Sequence, residues 1–350
     1  MTGGRIALGA VAALALAGMT KRRGGRNVKR NVKLPHKLTL ADLSCGAGLA
    51  SRGVIDGLNA HGIEVEVLAA VDPWKPAVDS YRANIPEAAP GAVMQITTEE
   101  ALERGLVPKV DLVITGPPCV RDSTLARCRL ATLTDRQDEL RGIKTAAASI
   151  GANMGNYTSM QTVGNRWKEW GRSLGLKSAR LSDAKLGGFT MRKRTFLMSQ
   201  DMVLAPLDNG IRRGWGDALP QWDKAGLVIS SDTHSVGKRQ KNAKPPNKPA
   251  YAVVGSGAAP LIYRKRPWKL VHRCTPEEGV ALQGFPHLQL LGTVITKGKG
   301  KGTRKVRERQ TLVGNGWPHT FGVWVADSIV LTLKAGSFKK CIHVALTEGD

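Results

Sequence analysis

Apolar runs alternate with amphipathic stretches along the first third of the chain. The runs at 38–43, 65–71 and 110–115 are apolar enough to form buried β-strands. Helical patterns occupy 49–59 and 76–84, between those strands. Strands that alternate with helices at this pitch predict an α/β fold with a doubly wound, mostly parallel sheet. The ligands of such sheets bind at the carboxyl ends of the strands.

The pattern changes in the second half of the chain. Segments 179–183 and 194–199 are strand-like, whereas 203–270 is rich in Gly, Pro and Trp and has poor periodicity. The α/β pattern returns from Cys274 and is interrupted by a Gly-rich basic loop at 297–309. We therefore predict four regions: a basic N-terminal extension at 1–37, an α/β domain formed by 38–202 and 273–335, a small irregular inserted domain at 203–272, and a C-terminal tail at 336–350.

The composition is strongly basic. The 350 residues include 52 Lys and Arg against 28 Asp and Glu, which gives a net charge of +24. Such a charge predicts a polyanionic partner, either nucleic acid or an anionic membrane surface. The five cysteines are too few for a disulfide scaffold, and none of them pairs at zinc-ligand spacing. We therefore expect no metal site.

The N-terminus carries an apolar run at 6–19, followed by a basic stretch at 21–33. The run is shorter than the roughly 20 residues that span a bilayer. It is similar to the core of a signal peptide, and the alternative is a plain N-terminal extension. The basic stretch is either a phosphate-binding arm or a solvated tail.

Polar turns follow the first two predicted strands. Segment 42–48 ends the first strand and forms a glycine-rich turn before a helix. Its glycines let a ligand approach the backbone, and the helix N-terminus favours negative charge. Asp72 ends the second strand, where a carboxylate can accept both ribose hydroxyls of a nucleoside or simply form a turn. Trp74 could pack on an adenine ring or be only half-buried.

The third predicted strand leads into Gly116-Pro117-Pro118-Cys119. The two prolines fix the path of the chain and leave the thiol at the carboxyl edge of the sheet, where it could act as a nucleophile. The alternative is a buried structural cysteine. Arg192 and Arg194 lie two residues apart and could hold a phosphate or a substrate carbonyl from one side of a strand. Their alternative is a solvated basic turn.

The order and spacing of these segments resemble the DNA cytosine-5 methyltransferase family over about 38–335. The resemblance rests on the following segments: the glycine-rich turn at 42–48, the acid at Asp72, the Pro-Cys loop at 116–119, the arginine segment at 187–196, the late helix motif at 274–286 and the last motif at 309–316. The segment at 203–270 occupies the place of the family's target-recognition domain.

The resemblance implies a Rossmann-like fold that uses S-adenosylmethionine as its cofactor. The implied cofactor-binding residues are Asp42, Leu43, Gly46, Gly48, Asp72, Trp74 and Asn315. The Cys119 thiolate would add to C6 of a flipped-out cytosine in double-stranded DNA, so that C5 accepts the methyl group. Arg192 and Arg194 would lie near the base or its phosphate.

Contacts with DNA are expected from five cations in the basic loops: Lys238, Arg239, Lys241, Arg304 and Lys305. We expect a monomer with no obligatory protein partner, in the cytoplasm of a bacterium or of a virus-infected cell. Export or membrane association through the N-terminal run is the alternative. We interpret Cys45 and Cys128 as structural, Cys274 and Cys341 as incidental, and the aromatic residues Trp317, Phe321 and Trp324 as core.

The sequence departs from the family pattern at the acid that assists at cytosine N3. No Asp or Glu lies between Glu139 and Glu169, and Asn153 and Asn156 stand in that region without a preceding Glu. General acid assistance raises a reaction rate by roughly 10²–10⁴, so its loss should slow methyl transfer by a comparable factor. Further departures are Gln95 for the adenine-side acid, Val120 after the Pro-Cys loop and Thr190 in the arginine segment.

These departures leave four interpretations open. The chain is an active but divergent enzyme, or a relative that binds DNA and cofactor with lost or altered chemistry. The same fold and Pro-Cys loop also serve a tRNA-methylating relative, so RNA is an alternative substrate. A DNA-binding protein without enzymatic activity would be equally basic, but it would not need Asp72, Cys119 and Asn315 at these intervals.

Overall fold

The computed structural model of the protein describes residues 33–117, 145–146, 157–162, 165–231, 240–253, 259–292 and 303–336. The side chains at 157–167 and 303–307 are not described, and those of Arg304 and Lys305 are among them. Several other residues singled out above also lie outside it: the segment 1–32, Cys119, Val120, Cys128, Asn153, Asn156, Lys238, Arg239 and the tail after 336. Within the described part of the chain, no helix is long and apolar enough to cross a membrane.

Seven strands form the central sheet: β1 (Lys37–Leu43), β2 (Glu64–Val71), β3 (Val93–Met94), β4 (Leu112–Thr115), β5 (Tyr157–Thr162), β6 (Lys177–Ser182) and β7 (Lys193–Met198). Their order is β3-β2-β1-β4-β5-β7-β6. The first five strands in this order, β3, β2, β1, β4 and β5, run parallel to one another. Strand β7 is antiparallel to both of its neighbours, β5 and β6. The predicted doubly wound, mostly parallel sheet is confirmed, and the predicted strand ends agree with the structure within two residues.

In the described residues, eight α-helices connect or cover the strands: α1 (Leu49–Ala60), α2 (Lys75–Asn84), α3 (Thr98–Glu103), α4 (Asn165–Ser173), α5 (Trp215–Ala218), α6 (Pro276–Leu282), α7 (Thr303–Asn315) and α8 (His319–Ala335). The expected basic loop at 297–309 is only partly correct, because α7 begins at Thr303. From Thr303 to Val313 the chain contains no glycine and several good helix formers, so the helix can start there.

Helices α1 and α8 cover one face of the sheet and touch through glycines. A Cβ atom added at Gly322 would lie 2.5 Å from the carbonyl carbon of Gly53, and one added at Gly57 would lie 2.5 Å from Cβ of Ala326. Such distances leave no room for a side chain, so the two backbones are in direct contact. Beside them, the Phe196 ring packs edge-on against Trp317 and Phe321 at centroid distances of 4.8 and 5.6 Å.

These aromatic residues fill the core. Trp317, Phe321 and Trp324 are 2%, 0% and 3% exposed, which confirms that they do not stand ready to stack on a base. Cys45 and Cys274 are also buried, at 4% and 3% exposure.

A second, three-stranded antiparallel sheet lies in the segment that the sequence indicated as irregular. Its strands are β8 (Leu227–Ser231), β9 (Pro260–Arg264) and β10 (Lys269–Arg273), in the order β10-β9-β8. The apolar residues of β8 and β9 run continuously because both faces are covered, so no alternation of period two marks them in the sequence. One face contributes Ile229 and Ile262 to a buried cluster that also contains Leu49 of α1.

Candidate cofactor and substrate site

The glycine-rich turn after β1 folds back over the end of β2. Ser44, Gly46 and Gly48 all have positive φ, at 73°, 54° and 86°. The backbone N–H groups of Ser44 and Cys45 both donate to the carbonyl oxygen of Val71 at 2.9 Å. Most residues adopt a left-handed backbone only at a steric cost, but two of these three residues are glycines, which adopt it freely. The turn is thereby fixed at the carboxyl edge of the sheet.

Asp72 connects this turn with the one that follows β2. Its Oδ2 accepts from the backbone N–H of Gly46 at 3.1 Å, and its Oδ1 accepts from that of Trp74 at 2.9 Å. A Cβ atom added at Gly46 would meet nothing within 4 Å, so the space beside the turn is open there. The site therefore offers partly exposed backbone at Gly46, a carboxylate and room for a ligand in one place.

Asp42 lies beneath the turn and is 1% exposed. Ser51 Oγ donates to its Oδ2 at 2.6 Å and also lies 2.7 Å from the hydroxyl of Tyr81. Burial raises the pKa of the Asp42 carboxyl to about 7, the charge of Asp72 adds to this rise, and the bond from Ser51 opposes it. Leu43 is fully buried. Asp42 and Leu43 thus support the turn from below.

Asn84 is a residue that sequence reasoning missed. It ends α2, is buried, and its Nδ2 donates to the carbonyl oxygens of Ala47 and Gln289 at 2.9 and 2.8 Å. Its Oδ1 accepts from the backbone N–H of Gln289 at 2.7 Å. The side chain therefore fastens the glycine-rich turn to the segment after α6. No local signal reveals it, because Gln289 is 205 residues away along the chain.

The last motif lies against the same turn. A Cβ atom added at Gly316 would be 2.6 Å from Cδ2 of Leu49, the first residue of α1. A Cβ added at Gly116, which leads into the Pro-Cys loop, would be 3.7 Å from Nε1 of Trp317. Asn315 is exposed at the end of α7. The segment 315–317 thus lies between the start of α1 and the end of β4.

Trp74 is half-buried and packs against the cluster that contains Ala47, Leu49 and Ala77. Its backbone carbonyl accepts from the N–H groups of Ala77 and Val78 and so begins α2. The predicted cofactor residues Gly46, Gly48, Asp72 and Trp74 are therefore brought together.

Arg192 is buried and forms a bridge inside the protein. It is 1% exposed, and its Nη1 and Nη2 donate to the carbonyl oxygens of Val253 and Gly314, both at 2.8 Å. The alternative of a solvated basic turn is therefore wrong for Arg192. Arg194 is partly exposed, and its Nη1 donates to the carbonyl of Lys193 at 2.8 Å. The expected contact of the two arginines with a base stays a prediction.

Thr190, which stands where the family resemblance led us to expect Gln, belongs to a buried network. Its backbone N–H and hydroxyl donate to Oδ2 of Asp183 at 2.9 and 2.6 Å, and Thr320 Oγ1 donates to Oδ1 at 2.6 Å. Burial raises the pKa of Asp183, while these bonds and the charge of Arg192 oppose the rise. The network joins the start of β7 to α8.

The strand order and the glycine-rich turn define a Rossmann-like S-adenosylmethionine-dependent methyltransferase fold. Residues 38–138 match the family model of the C-5 cytosine-specific DNA methylases, which confirms over that range the resemblance found in the motifs. No curated protein matches the chain by sequence.

Solved structures of methyltransferases share the fold. One is a DNA modification methyltransferase encoded within a prophage (E. coli), with a TM-score of 0.54 and 15% identity over 85% of this chain and 99% of that one. Another is the Entamoeba histolytica methyltransferase EhMeth, with a TM-score of 0.55 and 11% identity over 87% and 100%. The S. pombe Dnmt2 methyltransferase has a TM-score of 0.54 and 16% identity over 86% and 100%. At these identities the likeness establishes the fold alone.

Proposed function

We propose that the protein is an S-adenosylmethionine-dependent DNA cytosine-5 methyltransferase that acts through Cys119. The observation that carries the proposal is the convergence of the Gly46 turn, Asp72 and the segment 315–317 at the carboxyl edge of the sheet. This edge is where doubly wound sheets bind their ligands. Most of it lies within the range that matches the cytosine-specific family model.

The residues present fit S-adenosylmethionine. The open space beside Gly46 admits a ligand to the backbone, and Asp72 supplies a carboxylate that can accept hydroxyl hydrogens. The amide of Asn315 is exposed at the end of α7. The bound cofactor would supply an electrophilic methyl group on its sulfonium sulfur. Asp42, Leu43 and Gly48 would hold the shape of the turn.

The nucleophile of the proposal is the Cys119 thiolate. Gly116 and Pro117, which lead to it, are described at the end of β4, beside Trp317. The thiolate would add to C6 of cytosine, and the electron pair of the C5–C6 double bond would make C5 nucleophilic. After C5 is methylated, loss of the C5 proton and of the thiolate would restore the ring. The target base must leave the stack because C6 is inaccessible within a duplex.

A second candidate function follows from the missing acid. The chain has no Asp or Glu between Glu139 and Glu169, where the family resemblance places the carboxyl group that assists at N3. A protein that binds cofactor and nucleic acid, but with lost or altered chemistry, fits this departure. Double-stranded DNA is the substrate that we propose for either case, with RNA as its alternative, and the net charge of +24 supports both. We further propose a monomer acting in the cytoplasm.

The test is covalent trapping on duplex DNA that contains 5-fluorocytosine, with S-adenosylmethionine present. Fluorine at C5 blocks the last elimination, so an active enzyme stays attached to its target. We expect an adduct on a denaturing gel that Cys119→Ser abolishes while calorimetry still shows cofactor binding. An adduct that persists in Cys119→Ser would refute the assigned nucleophile. No adduct with the wild type, despite measurable cofactor and DNA binding, would favour the second candidate.

A further inference from the structure

Four cations crowd the hairpin that joins β9 and β10. Arg264 ends β9, Lys265 and Arg266 lie in the turn, and Lys269 begins β10. All four side chains belong to exposed residues. We call these four residues the hairpin cations. They stand within six consecutive positions of the chain, without an acidic residue among them.

None of the hairpin cations forms an ion pair with a carboxylate of the described residues. Some other exposed cations in that part of the chain do form such pairs, at 2.7 Å between Lys37 and Glu66 and at 3.0 Å between Arg104 and Glu100. The hairpin therefore presents positive charge that no ion pair among the described residues balances. Such unbalanced charge concentrates the local field and favours a bound polyanion.

The strand register makes the unbalanced charge costly. Arg264 lies directly opposite Lys269 in the antiparallel pair. Like charges in directly opposite positions destabilise a sheet. An anion placed between the two side chains removes that repulsion. The arrangement thus makes structural sense when a negatively charged partner occupies the hairpin.

The hairpin carries a ring stack and borders two mostly cationic grooves. The rings of Tyr263 and Trp268 stack across the turn at 4.5 Å between centroids and 14° between planes. Lys224 and three of the hairpin cations line one groove; Lys224, Lys241 and Lys265 line the other, together with one carboxylate, Asp223. The adjacent strand β10 exposes Leu270 and Val271 at 45% and 41%.

From these observations we infer that the β9–β10 hairpin binds the phosphodiester backbone of duplex DNA. The inference rests on the proposed nucleic-acid substrate and assigns a surface to it. Contacts of Lys and Arg with phosphates fix the position of a duplex and carry no sequence information. The hairpin should therefore supply affinity that is independent of sequence, while base recognition arises elsewhere.

The test measures duplex binding by the full-length chain through fluorescence anisotropy between 50 and 300 mM salt (about the range in which phosphate contacts respond). The variant is Lys265→Ala/Arg266→Ala/Lys269→Ala, which leaves the Tyr263–Trp268 stack in place. Its matched control is Lys37→Ala/Arg104→Ala/Lys109→Ala, which removes the same charge from residues at the amino edge of the large sheet. Thermal melting curves of both variants serve to check that they are folded.

We expect the hairpin variant to bind at least about tenfold more weakly and to lower the salt slope by about 3, one for each phosphate contact. The loss should be equal on two duplexes of unrelated sequence. The control should change the slope by less than about 1. A duplex RNA probe, and vesicles of phosphatidylserine, identify which polyanion the hairpin binds.

Four results would overturn the inference. Equal binding by the two variants would show that the hairpin cations are ordinary surface charge. A loss on RNA or vesicles but not on DNA would assign the hairpin to that other polyanion. A wild type that binds S-adenosylmethionine but no duplex would refute both the hairpin site and the proposed DNA substrate. A wild type that binds DNA, with a hairpin variant equal to it, would refute the hairpin site alone.

Discussion

Arg192→Met tests whether the buried arginine holds the cofactor edge together. The guanidinium bridges the carbonyl oxygens of Val253 and Gly314, and Gly314 directly precedes Asn315. Methionine keeps most of the side-chain length and removes both donors and the charge. The two carbonyls would then lose their guanidinium donors, and Asp183 would lose a favourable neighbouring charge.

The expected magnitude follows from those lost interactions. A hydrogen bond from a charged donor contributes about 1.5–3 kcal/mol, so two contribute about 3–6 kcal/mol, from which the burial of methionine recovers a part. We expect the free energy of unfolding to fall by about 3–5 kcal/mol, because two carbonyl oxygens lose these donors. For a chain of this size, Tm should fall by about 6–15 °C.

Urea unfolding gives the stability, and calorimetry with S-adenosylmethionine gives the cofactor affinity. Arg194→Met is the matched control, because Arg194 is partly exposed and should cost less than about 1 kcal/mol. Arg192→Lys, which can reach one carbonyl, should fall between the two. Unfolding of Arg192→Met within about 1 kcal/mol of the wild type would refute the reasoning. An unchanged cofactor affinity would show that the bridge does not position Asn315.

Two further substitutions test the support of the same edge. Gly322→Val should lower the free energy of unfolding in urea by about 3 kcal/mol, because its Cβ would lie 2.5 Å from the carbonyl carbon of Gly53. The control Lys334→Val, at an exposed position of the same helix, should lower it by less than about 0.5 kcal/mol. Equal losses in the two variants would contradict direct contact between the backbones. The raised pKa of Asp42, about 7, means that the folded state holds its proton where the unfolded state has lost it. Stability should therefore fall as pH rises towards 7, and Asp42→Asn should remove about 2–3 kcal/mol of that fall between pH 5 and 8. Parallel pH dependences in the two proteins would exclude this role.

The sequence predicted those parts of the fold that depend on neighbouring residues. β1 and β2 are rich in apolar residues, and the turn at 42–48 is marked by its glycines, so both can be recognised locally. The bridges could not be recognised in this way. Arg192 and Gly314 are 122 residues apart, and Asn84 and Gln289 are 205 apart. In each bridge a side chain bonds to a backbone atom, and any residue type could supply that backbone atom. The identity of the second residue therefore gives no signal in the sequence.

The small sheet shows a different limit of sequence reasoning. Its strands were hidden because all three are short, because β8 and β9 are apolar on both faces, and because segments rich in Gly, Pro and Lys separate them. The hairpin cations were equally inconspicuous among the 52 Lys and Arg of the chain. Their significance appears only when the register sets Arg264 opposite Lys269 and no carboxylate of the described residues forms an ion pair with them.

The small sheet and the cofactor turn share one hydrophobic cluster. Ile229 and Ile262 of the small sheet belong to the same buried group as Ala47 of the turn and Leu49 of α1, and the carbonyl of Val253, in the same group, accepts from Arg192. A module that only recognised DNA could have been joined to the catalytic domain by a flexible linker. Here a displacement of the small sheet must also move the packing beneath the turn. Binding of a duplex at the hairpin and binding of the cofactor at Gly46 should therefore be energetically coupled, and by linkage each would change the affinity of the other by the same factor.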